Sequence, residues 1–167
     1  NVLEVPEVVI GNVNFNMVQQ VSLSSTEYET GVDEFIKSGL TKKPAELVKP
    51  PLIAESPVNF ECKVIEVKPL GNEGGAGNLV ICEVLKIHIK EEFLNEEGNL
   101  DQKKLDLVSR LGGNWYGRTT AETLFEVPKP LVTKGIGFDQ LPSEIKHSKV
   151  FTGNDLGMLA NVRSEER

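Results

Sequence analysis

The chain has 167 residues, a formal net charge of −7 and an apolar content of 39%, which is the balance of a globular protein with a core of its own. That balance excludes fibrous and disordered classes. The basic residues are scattered singly, which argues against a nucleic-acid surface, and no apolar run has the length of a membrane-spanning helix.

The chain begins at Asn1 without an initiator methionine and soon enters an apolar run, so the natural protein is expected to start earlier. Glu7 to Val13 (EVVIGNV) has strand composition, with Gly11 as a bulge. Asn16 sits where an N-cap would, with Gln19 three residues on, and predicts a short helix carrying Met17, Val18 and Val21 on one side. The helix fades in the polar SLSST segment. A second short helix is predicted with Thr30 as cap and Gly39 as terminator. Pro44, Pro50, Pro51 and Pro57 then impose an extended, irregular path, because proline also pushes its predecessor out of the helical region.

From Ser56 to Lys90 two long β-type runs are joined by GNEGGAGN, and this is the centre of the predicted fold. In the first run Val58, Phe60, Cys62 and Val64 share one face, and Asn59, Glu61 and Lys63 the other. The pattern shifts at Ile65 and ends at Pro69. The second run, Leu79 to Ile89, is apolar on both faces except for Glu83, Lys86 and His88, and predicts a strand covered on both sides. A phosphate-cradling glycine loop would be followed by a helix, whereas here a second strand follows, so the connection reads as a hairpin.

Beyond the hairpin, a polar excursion turns at Glu97 to Asn99, and Asp101 caps a single helical turn through Lys104 and Leu105. Leu107 to Leu111 returns to strand. RLGGNWYGR follows, in which Trp115 or Tyr116 either offers a stacking surface or fills the core. Thr123 to Val127 reads as a last strand, Pro142 opens a short helix carrying Ile145, and TGNDLGMLANV reads as a capped helix. His147 lies in a charged context and is expected to be solvated.

Cys62 and Cys82 sit inside the two long runs and read as small buried hydrophobes, with a cross-strand disulfide as the alternative. Reduced cysteines suit the cytoplasm. The sequence holds no nucleophile elbow, no H-E-x-x-H, no paired-carboxylate motif and no P-loop. With two histidines, neither in a catalytic pattern, the chain reads as the holder of a cofactor that performs the chemistry.

The succession GVDEFIKSGLT, PPLIAESPVNFECKV, GNLVICEVLKIHI and LDLVSRLGGNWYGR resembles the flavin reductase-like family, the FMN-binding split barrels that include flavoredoxin-type proteins. LPSEIKHSKVFTGNDLGMLANV resembles the tail of one branch of it. The resemblance implies a mainly β fold with short helices: a six-stranded antiparallel split β-barrel forming a single domain over residues 1–167, lacking its N-terminal strands. It implies a homodimer that binds FMN non-covalently at the subunit boundary and takes NADH or NADPH as co-substrate, with the best-defined flavin contacts upstream of Asn1. An oxygenase or other electron acceptor is the implied partner, with no nucleic acid and no membrane.

The same resemblance suggests the residues near the cofactor. Asn12 and Asn14 flank the end of the first strand, where the family carries an asparagine at the place of Gly11. Ser24 and Ser25 fall in the polar segment after the helix, Thr41 in the GLT motif, and Arg110, Gly113 and Tyr116 in an R-x-G-G-x-x-Y pattern. A guanidinium can neutralise a phosphate or a reduced flavin, and an aromatic ring can cover a planar cofactor; the alternative for Arg110 is an ion pair with Glu61 or Glu83. Three functions are therefore in view: a flavin reductase, a non-enzymatic FMN-bound electron carrier, and a flavin-free interaction domain.

Overall fold

The computed structural model describes residues 2–73, 75–129, 131–132 and 134–162. The chain forms two compact units, Asn1–Leu124 and Phe125–Arg167. In the first, β1 (Glu7–Gly11) is followed by α1 (Val18–Ser24), α2 (Glu34–Ser38) and the two-residue strands β2 (Lys42–Lys43) and β3 (Leu52–Ile53). The long strands β4 (Val58–Pro69) and β5 (Asn78–Ile89) come next, then α3 (Gln102–Leu105), β6 (Val108–Arg110) and β7 (Tyr116–Arg118). The second unit holds α4 (Ser143–Lys146) and α5 (Gly153–Ala160), whose buried residues are Leu141 and Leu156.

The central hairpin forms as the sequence predicts: β4 pairs antiparallel with β5 along its length, with register shifts at Glu61/Cys62 and Val64/Glu66, the second where the alternation breaks at Ile65. β1 pairs on the other edge of β4, giving the order β1-β4-β5, while β2-β3 and β6-β7 are separate two-stranded sheets. The expected six-stranded closed barrel is not what the described residues form. They give seven strands in three sheets, and β5 has β4 on one edge alone. For the same reason the expectation that β5 is covered on both faces fails: Val84 is 50% and Ile87 53% exposed.

Local signals explain the smaller differences. α1 starts at Val18 without a side-chain cap, so Asn16 does not cap it. Asp33, not Thr30, caps α2 by accepting from the Phe35 amide at 3.1 Å, and Gly39 ends the helix in the left-handed conformation, as expected. Asp101 and Thr152 cap α3 and α5, and Pro142 stands one position before the first residue of α4. The predicted strand Thr123–Val127 is absent, because Thr120 and Thr123 close a capping box around a 3-10 turn at Ala121–Thr123. Gly11 is no bulge, since it pairs in register with Asn59. It is glycine because a Cβ there would stand 2.9 Å from Ile53 Cδ1 and 3.1 Å from the buried Ser56 Oγ. Both cysteines are free, with Cys62 buried; burial, and secondarily Cys82, raises the Cys62 thiol's pKa.

The first part of the polar face of β4 does not meet solvent, although Lys63 is exposed. Asn59 and Glu61 are 6% and 0% exposed, because β3 and the proline-rich residues 44–51 lie across them. Asn59 accepts from the Ile53 amide at 3.0 Å and donates to its carbonyl at 3.1 Å. Glu61 accepts from the amides of Glu46, Leu47 and Val48 at 2.9, 2.6 and 3.1 Å, and its Oε1 lies 2.5 Å from His88 Nε2. Burial pushes the Glu61 carboxyl up, but these amides and the imidazole together outweigh it and bring the group down to about 2.

A carboxyl lowered from 4.5 to about 2 on folding contributes stability in full above pH 4.5, and loses it as the pH falls toward 2. Glu61→Gln is therefore expected to cost about 3 kcal/mol at neutral pH and to flatten the acid limb of the stability profile. Urea unfolding of both proteins across that range measures it; parallel profiles would show that Glu61 is not the group responsible.

Candidate functional site

The end of β1 and the strands after α3 are brought together by backbone pairing. Val108 N donates to Val13 O at 3.2 Å and Phe15 N to Asp106 O at 2.9 Å, and Asn14 bridges Leu107. Residues 13–15 thus run beside 106–108 and place α1 against the β6–β7 hairpin. Between them lies a cavity of about 330 Å³, at the small end of ligand pockets. Phe15, Val18, Gln19 and Ser22 line one side, and Val108, Arg110, Asn114, Tyr116, Gly117 and Arg118 the other.

The lining carries two guanidinium groups and no carboxylate. They are held differently. Arg118 donates through Nε and Nη2 to both oxygens of Asp106 at 2.7 Å and lies 3.7 Å over the Phe15 ring. Its charge is matched, and Asp106 in turn is held below the usual carboxylate range by that hydrogen bond, against a smaller opposing effect of burial. Arg110 donates from Nη1 to the Tyr116 hydroxyl at 2.8 Å and from Nη2 to the Gly113 carbonyl at 3.0 Å, and no carboxylate pairs with it among the described residues. The anticipated alternative, an ion pair with Glu61 or Glu83, does not form among the described residues; Glu61 is occupied by His88 and the strap amides.

The hairpin geometry follows from its glycines. Arg110 pairs with Tyr116 across the ladder, and Gly113 turns the chain at φ +60°. A Cβ on Gly117 would meet Ser109 Oγ at 2.9 Å, so the two strands approach closely only with glycine there. Trp115 is 76% exposed and Tyr116 38%, so neither fills the core.

Of the residues singled out in the sequence, Arg110 and Tyr116 line the cavity and Gly113 holds Arg110. Asn14 lies one residue before Phe15, is 5% exposed, and has a buried Oδ1 without a partner among the described residues. Asn12 uses its backbone to join β1 to β4, its amide donating to Val58 O and its carbonyl accepting from Ser56 Oγ. Ser24 and Ser25 donate back to the Val21 carbonyl, and Thr41 donates its amide to Glu55; none of the three lines this cavity. Residues the sequence reading missed are Phe15, Gln19, Ser22 and Arg118. Gln19 and Ser22 lie with Val18 on one face of α1, which marks Ser22 rather than Ser24, and Phe15 precedes the helix.

Fold and site together define a flavin reductase-like domain: residues 1–107 match the family model described as "Flavin reductase like domain", and the chain belongs to that family. Among curated proteins it is 35% identical over 133 residues to an uncharacterised protein of Halalkalibacterium halodurans, covering 78% of this chain and 62% of that one. Among solved structures, it superposes on nitrilotriacetate monooxygenase component B from Bacillus cereus with a TM-score of 0.68 at 24% identity, over 76% and 62% of the two chains. The flavoredoxin of Desulfovibrio vulgaris (Miyazaki F) gives 0.62 at 21% identity, over 78% and 66%. The chain spans just over three fifths of the length of the curated relatives. Among the described residues, no helix is long and apolar enough to cross a membrane, and no cluster of three or more His, Cys, Asp or Glu could hold a metal ion.

The Asp106–Arg118–Phe15 arrangement gives a direct test. Arg118→Lys keeps the charge but loses the bidentate fork and the planar stack, and is expected to lower the thermal unfolding midpoint. An unchanged thermal unfolding midpoint would show that the fork and stack contribute nothing measurable.

Proposed function

We propose that this chain is the FMN-binding part of a flavin reductase that passes a hydride from NADH or NADPH to FMN. The observation that supports this reading is the Arg110 guanidinium, paired with no carboxylate among the described residues and facing a cavity that also offers the Tyr116 and Phe15 rings. The lining suits a planar, anionic group: Arg110 would meet its negative charge, Tyr116 would border its ring, and Gln19, Ser22 and Asn114 offer hydrogen bonds at its edge. When bound, FMN supplies the two-electron chemistry. The chain's own part is to bind, orient and shield, which requires no acid or base side chain. In this reading the protein works as a homodimer in the cytoplasm and hands electrons to an oxygenase or another acceptor.

The second reading, an FMN-bound electron carrier, takes its support from the likeness to flavoredoxins. Turnover separates the two. Purified protein is expected to oxidise NADH or NADPH when FMN is added; a protein that retains FMN but oxidises neither nucleotide supports the carrier, and one that neither retains FMN nor oxidises either nucleotide with FMN added overturns both. Arg110→Ala is expected to weaken FMN binding about tenfold or more, the scale of one charge-assisted hydrogen bond. An unchanged FMN titration would remove Arg110 from the site.

A further inference from the structure

A second cavity, about 600 Å³, lies away from the arginine pocket; its lining includes Lys43, Leu52 and Ile53 on one side and Asn59, His88 and Lys90 on the other. The first three belong to the β2–β3 ladder, which consists of two residue pairs. The loop of that hairpin is the strap of residues 44–51 across the polar face of β4.

The way the strap is attached is unusual. Among the described residues, no backbone-to-backbone hydrogen bond ties residues 44–51 to the sheet. Its attachments run through carboxylates instead: the amides of Glu46, Leu47 and Val48 converge on Glu61, and that of Lys49 donates to Glu7 Oε2 at 2.8 Å. Consecutive amides wrapped around one anion form a nest, the arrangement by which loops bind free anions. The Glu46 side chain adds a contact with Lys86 and lies 3.9 Å from His88 Nδ1. Little apolar surface supports these bonds, since Leu47 is 57% exposed and Pro44, Glu46 and Lys49 are also exposed.

We propose that Glu61, held by His88, is the latch of this strap, and that residues 44–51 lift from the sheet as one piece. Three features support a separate motion. Water can replace the released amides at the carboxylate, and neither of the strap's large apolar side chains, Leu47 and Val48, is buried. Pro44, Pro50 and Pro51 stiffen both ends of the strap. The two-pair ladder below it, clasped to Asn59 through Ile53, can stay closed while the strap moves. His88 is a positioning residue, since its Nε2 fixes one carboxylate oxygen while the amides take both. The inference does not depend on the flavin reading.

Amide hydrogen exchange on the intact chain tests it. The Glu46, Leu47 and Val48 amides are expected to exchange at least tenfold faster than those of β4 and β5, after correction for intrinsic rates, and with little dependence on low urea. His88→Gln is expected to accelerate strap exchange several-fold further and leave β4 and β5 unchanged. Strap amides that exchange in step with β4 and β5, with the same urea dependence, would overturn the proposal, because the strap would then open only with the whole unit. An acceleration in His88→Gln shared equally by strap and sheet, or none in either, would overturn the role of His88.

Discussion

A buried negative charge organises the first unit. Glu61 sits at zero exposure in the middle of the central strand, where an isolated carboxylate would be strongly disfavoured. Its environment converts that liability into a constraint: three consecutive amides and an imidazole converge on it, which sets where the irregular segment 44–51 and the end of β5 rest against β4 in the closed arrangement. Apolar packing alone would not specify this path. The strap buries little, and its prolines cannot join a ladder.

The same logic, with the sign reversed, shapes the other cavity. Two arginines face it, and the protein treats them unequally: Arg118 is gripped by Asp106 and capped by Phe15, whereas Arg110 is oriented by a hydroxyl and a carbonyl that leave its charge unmatched. Orientation without neutralisation is the condition under which a guanidinium attracts an anion in a defined geometry.

How much of this was legible in the sequence depends on the range of the signal. The β4–β5 hairpin, the bulge near Ile65, the Gly39 terminator and the caps at Asp101 and Thr152 are written in a few adjacent residues, and the structure follows them. Coverage is not local. The period-two alternation placed Asn59 and Glu61 on a polar face, but could not say that a segment fifteen residues earlier would lie over it and bury them. The reverse error befell β5, whose composition suits a covered strand while the described residues leave it largely exposed. At the cavity, Arg110 and Tyr116 stood out as a motif. Arg118 did not, because its meaning comes from Asp106, twelve residues away across a turn, and from Phe15, which arrives from the far end of the unit.

Asp106 is the one residue other than glycine with positive φ among those described, at 49°, so its backbone admits few side chains comfortably: glycine, asparagine and aspartate. That steric filter has an electrical corollary. Of the three, aspartate alone carries a charge, so any comfortable exchange at this turn would turn a pocket with one vacant cation into a pocket with two. The turn thereby ties the number of free positive charges lining this pocket to a single dihedral angle.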